Sequence, residues 1–159
     1  MINLGVCCRD YSQMIVLKRY IKSFFYLNNF RTKLLGSIVE FNTLKDYMHN
    51  NDNIDVLFYY TSLPSKEYIF ELSQKLTSTN PNIHIIFILD FVDFAINGFY
   101  LSGFDYLLLP LDYSFFKLEM SNYISKLDIN TSYKDSKSSR YEEILRNKFS
   151  NILGIDIDN

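Results

Sequence analysis

The chain has no tryptophan and, in 159 residues, only three prolines, five glycines and two cysteines. So little Gly and Pro excludes a collagen-like or low-complexity chain. The cysteines, Cys7 and Cys8, are adjacent. Neighbouring cysteines bridge only under severe strain, so no disulfide framework is available, and reduced thiols in a cytoplasmic protein are expected. A soft-metal site would need further ligands, and the only histidines are His49 and His84. No excess of one charge exists either: 16 basic and 18 acidic residues leave −2. A surface gripping nucleic acid through its phosphates is not expected from that balance. Long apolar runs are missing as well. The densest, Ile85 to Leu89, is about a quarter of a membrane span. Arg9 and Asp10 interrupt the first apolar stretch before a signal-peptide core could form.

What remains is a chain rich enough in hydrophobic residues, 48%, to build a core and to exclude disorder. Its pattern alternates. Leu4 to Cys7 is a short apolar run, and Met14, Leu17, Tyr20, Ile21, Phe24 and Phe25 follow at helical spacing, with Asp10 or Ser12 able to cap. Ser37 to Phe41 reads as a strand bounded by Gly36 and Asn42, and Thr43 can cap a short helix carrying Leu44, Tyr47 and Met48. Ile54 to Tyr60 and Ile83 to Leu89 are apolar without alternation, as strands buried on both faces are. Between them Ile69, Leu72 and Leu76 mark a helix. Phe91 to Leu101 reads as a fourth helix, Phe104 to Leu108 as a fifth strand, and Phe116, Met120, Tyr123, Ile124 and Leu127 as a fifth helix face. Strand–helix alternation every ~20–25 residues predicts a five-stranded, doubly wound parallel α/β sheet over residues 1–127.

The rest differs in composition. Residues 128–138 are polar and read as a linker. Residues 139–153 open with a capping box, Ser139 to Glu142, and carry an apolar stripe that includes Ile144, Leu145, Phe149 and Ile152. Such a helix has too little around it to form its own core, so it is expected to dock on the main domain or on another chain.

The pieces Ile54-Asp55-Val56-Leu57-Phe58 with Leu63-Pro64, Asn80 to Ile88, and Gly103-Phe104-Asp105-Tyr106-Leu107-Leu108 before Leu109-Pro110 resemble the receiver domain of bacterial response regulators. The receivers attached to LytTR-type DNA-binding domains look most alike. The resemblance implies flavodoxin-like topology, strand order 2-1-3-4-5, and a cis bond before Pro110. It also implies a phosphorylation site: an acidic pair after the first strand, an acceptor Asp at the end of the third, a hydroxyl residue after the fourth and a Lys after the fifth. On this sequence those positions fall on Cys8 and Arg9, Tyr60, Leu89 and Leu109. All five are changed. A phenol is a poor substitute for a carboxylate nucleophile, a fixed cation stands where a metal belongs, and a leucine cannot pair with phosphate. The expectation is a receiver that keeps the fold without the chemistry, with no catalytic residue, metal or cofactor.

Asp10 and Asp90 remain near that cleft, and a salt-bridge cluster with Arg9 is the simpler expectation over a ligand-binding triad. Arg9 beside Cys8 suggests a lowered thiol pKa and a weak redox role. Receivers of this type meet partners through the fourth helix, fifth strand and fifth helix. Here those elements offer Val92, Ile96, Phe99, Tyr106, Phe115 and Leu118. With 17% aromatic residues, the chain carries more apolar bulk than a five-stranded domain needs inside, which points either to contact with another protein or a second copy or to cover by the chain's own helix 139–153. The function expected is non-enzymatic regulation by phosphorylation-independent contact, in transcriptional control, with no nucleic acid, membrane or small molecule bound directly. The alternatives are the receiver part of a LytTR-type transcription regulator whose output domain is not in this chain, and a small-molecule or redox sensor.

Overall fold

The computed structural model describes residues 1–27, 34–50, 53–62, 65–90 and 105–127. Five strands, β1 (Ile2–Cys7), β2 (Leu35–Phe41), β3 (Val56–Thr61), β4 (His84–Asp90) and β5 (Asp105–Leu109), form one sheet in the order β2-β1-β3-β4-β5. Every pairing is parallel. The described helices are α1 (Tyr11–Leu27), α2 (Leu44–His49), α3 (Lys66–Thr79) and α4 (Tyr113–Leu127). The predicted helix 91–101, with Val92, Ile96 and Phe99, lies outside the described residues, as do the linker 128–138 and the helix 139–153 with Ile144, Leu145, Phe149 and Ile152. Two compact units divide the chain, Met1–Glu119 and Met120–Asn159. Of the second, only the end of α4 is described, where Met120, Tyr123 and Ile124 are buried.

The uninterrupted apolar runs lie in the middle of the sheet. All of β3 except Tyr60 is buried, and so is the centre of β4, because a central parallel strand is covered on both faces. On one face Phe116 of α4 stacks on Phe58 of β3 with ring centroids 5.9 Å apart, and meets Phe24 of α1 edge-on at 6.0 Å. Met14, Leu17, Ile21, Phe24 and Phe25 of α1 are buried, as the helical spacing predicts. Tyr20 adds a polar tie, its hydroxyl donating to the Leu111 carbonyl at 3.1 Å. Side chains alternate along a strand, so Leu57 and Tyr59 point to the opposite face from Phe58.

The helix starts follow local chemistry. The Asp10 carboxylate accepts from the backbone N–H of Ser12 and Gln13 at the head of α1. Thr43 and Asp46 form the capping box of α2, Ser65 accepts from Tyr68 N–H at the start of α3, and Asp112 accepts from Ser114 and Phe115 N–H at α4. The Leu109–Pro110 bond is cis, as the receiver resemblance implies.

Three differences from the sequence reading have physical causes. β2 begins at Leu35, before Gly36, because Gly36 does not end the strand but sits in an irregularity of the β1–β2 ladder, where Ile2 pairs with Leu35 and Leu4 with Ile38. The Asn3 side chain fills that gap by accepting from Ser37 N–H at 3.0 Å, and a Cβ on residue 36 would lie 2.2 Å from its oxygen. A larger residue there would push the Asn3 amide off Ser37 N–H. β3 starts at Val56, since Asp55 is used as a clasp: Asn3 N–H donates to its carboxylate at 2.7 Å, its own N–H to the Asn3 carbonyl, and His84 N–H to its carbonyl. His84 is more than an ordinary residue at the start of a strand, for its Nε2 lies 3.0 Å from Asp105 Oδ2 on neighbouring β5.

Candidate functional site

In an open parallel sheet, working residues gather beyond the carboxyl ends of the strands, near the point where strand order reverses. Here that point lies between β1 and β3, from which the sheet grows outward in both directions. The strand registers set the positions side by side. Cys7, Tyr59, Phe87 and Tyr106 form one row across the sheet. Tyr60, Ile88 and Leu107 form the next, beyond which stand Thr61, Leu89 and Leu108, and finally Asp90 and Leu109. The five positions picked from sequence thus share one edge, with Cys8 and Arg9 following β1.

Their surroundings differ. Cys8 is 4% exposed and Leu89 fully buried, so both serve as packing. Tyr60 and Leu109 are half-buried, and Arg9 is exposed. The expected cluster of Arg9 with Asp10 and Asp90 does not form: among the described residues no ion pair joins them. Asp10 instead turns its carboxylate to α1, accepting from the Ser12 hydroxyl at 2.6 Å as well as from the helix N–H groups. Those bonds, the Ser12 hydroxyl foremost, hold its pKa below the usual 3.8. A group with a depressed folded pKa contributes stability above its unfolded value and loses it as pH falls through the folded one. Asn caps a helix about as well as Asp. Asp10→Asn should therefore melt with the parent near pH 7 yet lack the parent's loss of stability below about pH 4 from this cap. Melting temperatures across pH 2.5–7 check this, and parallel acid limbs would contradict it.

The thiols also correct the sequence reading. Burial dominates both and pushes the Cys7 pKa up to about 11, with the neighbouring Cys8 adding to it. Burial likewise raises Cys8, whose thiol contacts the Asp10 carbonyl at 3.5 Å. Arg9 acts on Cys7 rather than Cys8, and as the smallest influence on it. Two protonated, buried thiols make poor redox sensors. Phe115 is likewise buried within its own chain, so it is not an open contact surface, whereas Tyr106 and Leu118 are half-buried. His49, at the end of α2, bonds its ring nitrogen to the Lys45 carbonyl at 2.7 Å. Among the described residues no three His, Cys, Asp or Glu side chains come together as metal ligands, and no helix is long and apolar enough to cross a membrane.

The strand ends hold an open cleft of about 240 Å³ at the β1/β3 reversal, lined by Arg9 as the sequence suggests but by neither Asp10 nor Asp90. It is lined from four segments: Cys7 at the end of β1 and Arg9 after it, Asn42 to Leu44 before and in α2, Tyr59 to Ser62 at the end of β3, and Tyr68 of α3. Burial and a hydrogen bond with Tyr68 push the Tyr59 phenol well above its ordinary pKa, so it stays neutral. For its walls, the one available signal was the run Tyr59-Tyr60-Thr61-Ser62 at a strand end.

No protein-family model and no curated protein matches the sequence. Solved structures share the fold. The two-component transcriptional regulator AraC of Clostridium phytofermentans superposes with a TM-score of 0.59 at 15% identity, over 79% of this chain and 94% of that one. DrrB, an OmpR/PhoB homologue of Thermotoga maritima, gives 0.55 at 15%, over 79% of this chain and 54% of its own. The pilus assembly protein CpaE of Caulobacter crescentus gives 0.52 at 17%, over 80% and 99%. The chain has the flavodoxin-like fold of response-regulator receivers.

Proposed function

We propose that the chain is a non-enzymatic, cytoplasmic regulatory protein of the response-regulator type, working by contact with another protein or a second copy and without phosphorylation at the usual site. One observation carries the reading. The edge where a receiver places its acidic pair, acceptor, hydroxyl and lysine here presents Cys8 and Arg9, Tyr60, Leu89 and Leu109. Phosphoryl transfer to a side chain needs a nucleophile, a metal held by carboxylates and a cation for the developing charge. Tyr60 lacks the nucleophilicity, Leu109 the charge, and Asp10 is engaged in capping α1. In a two-state signalling domain the output face follows whichever state is favoured. Without phosphate as the bias, sequence or another ligand must set that balance.

The AraC and DrrB likenesses support a place in transcriptional control, either as a partner-binding regulator or as the receiver part of a longer DNA-binding regulator of LytTR type. Beryllofluoride with magnesium, a mimic of the phosphorylated state, should leave the melting temperature and the light-scattering mass unchanged. A magnesium-dependent stabilisation would count against the proposal.

A further inference from the structure

We propose that the cleft at the β1/β3 reversal binds a small aromatic anion, one planar ring carrying a carboxylate or phosphate group, with Arg9 pairing the anionic group and Tyr59 and Tyr68 bordering the ring. The location is where a doubly wound sheet opens a crevice, since the connections leaving β1 and β3 diverge to opposite sides. Charge selects the ligand's sign. Arg9 is exposed, belongs to no ion pair among the described residues, and lines the cleft with no acidic side chain among the lining residues. Asp46, the carboxylate close enough to act on Cys7, is occupied by the Thr43 backbone N–H at 3.0 Å.

A guanidinium left in this way matches a carboxylate or phosphate through two parallel hydrogen bonds. The walls select the ring. Tyr59 and Tyr68, joined by a hydrogen bond, supply two aromatic side chains on one side of the sheet, and Tyr68 is 40% exposed. Aromatic faces favour offset or edge contact with another ring. The Ser62 and Thr43 hydroxyls add hydrogen-bonding groups at the rim. Size sets the limit: about 240 Å³ is below the ~300–1,000 Å³ of sites for drug-sized ligands, which suits one ring and its acid group and excludes a dinucleotide. The site stands on geometry alone. Its regulatory meaning, a ligand replacing phosphate as the bias on the fold, rests on the reading above.

The test is a titration of the full chain with benzoate, phenyl phosphate, acetate and inorganic phosphate, followed by backbone amide NMR shifts. Benzoate or phenyl phosphate should bind saturably, with shifts centred on Arg9, Thr43 and Tyr60. Acetate and inorganic phosphate should bind roughly tenfold or more weakly. Whichever aromatic acid binds more tightly identifies carboxylate or phosphate as the natural group. Arg9→Gln, at an exposed position that should not disturb folding, should weaken the aromatic anion roughly tenfold or more. Tyr68→Ala should remove the preference for aromatic over simple anions. Absence of saturable shifts, equal binding by acetate, or full affinity in Arg9→Gln would overturn the site. None of those outcomes changes what beryllofluoride does, so the two readings fail separately.

Discussion

Replacing Phe116 with alanine should cost about 3–5 kcal/mol of folding stability, the range for deleting a large buried ring. Phe116 is fully buried in the first turn of α4 and meets aromatic rings from three other positions in the layer: Phe58 of β3, and Phe24 and Tyr20 of α1. Tyr113, at the start of the same turn, stacks on it at 6.2 Å. Removing the ring strands all of these contacts at once, because rings held between a sheet and a helix cannot collapse far into the void. A domain of this size is stable by only about 5–15 kcal/mol, so the variant should unfold at a much lower urea concentration. Phe116→Leu, which keeps much of the volume, should lose distinctly less. Urea unfolding followed by circular dichroism reads both, and a loss below about 1 kcal/mol for the alanine variant would show that the aromatic layer is not tightly packed.

The second large effect comes from adding atoms. Gly5→Ala is expected to destabilise the chain by about 1–3 kcal/mol, the usual cost of forcing a methyl group into a filled core. Gly5 sits in β1, paired on both sides, and a Cβ there would lie 3.0 Å from Leu57 Cδ1 and 3.1 Å from both Ile54 and Phe41 side chains. Those three neighbours are all buried and hold one another in place. Shortening one should give room: Leu57→Val in the Gly5→Ala background should cost less than in the parent. A double-mutant cycle measures that coupling, and strict additivity would contradict the close approach.

Much of the fold was legible because its signals are local or repeated. The unbroken apolar runs of β3 and β4 announce burial on two faces before any contact is known, and Thr43 with Asp46 announces a helix start within four residues. What escaped the sequence depends on partners far along the chain. Gly36 looks like a strand boundary until Asn3, 33 positions earlier, occupies the space a side chain would need. Asp55 looks like part of an apolar strand until Asn3 and His84 close on it.

The site divides in the same way. Tyr60 and Leu109 can be read as altered positions from their place before Pro64 and Pro110. The state of Cys8 cannot, because its neighbour Arg9 suggests a lowered pKa while burial, which comes from folding, raises it. The walls of the cleft are least legible of all. Arg9, Thr43, Tyr60 and Tyr68 come from separate elements and meet only after the sheet reverses its order.

The most direct measurement is intact-mass spectrometry of the full chain after incubation with acetyl phosphate and magnesium. A single species at the unmodified mass is expected. A stoichiometric, hydroxylamine-sensitive phosphoryl adduct would contradict it, since an acyl phosphate requires a carboxylate and the acceptor position carries Tyr60.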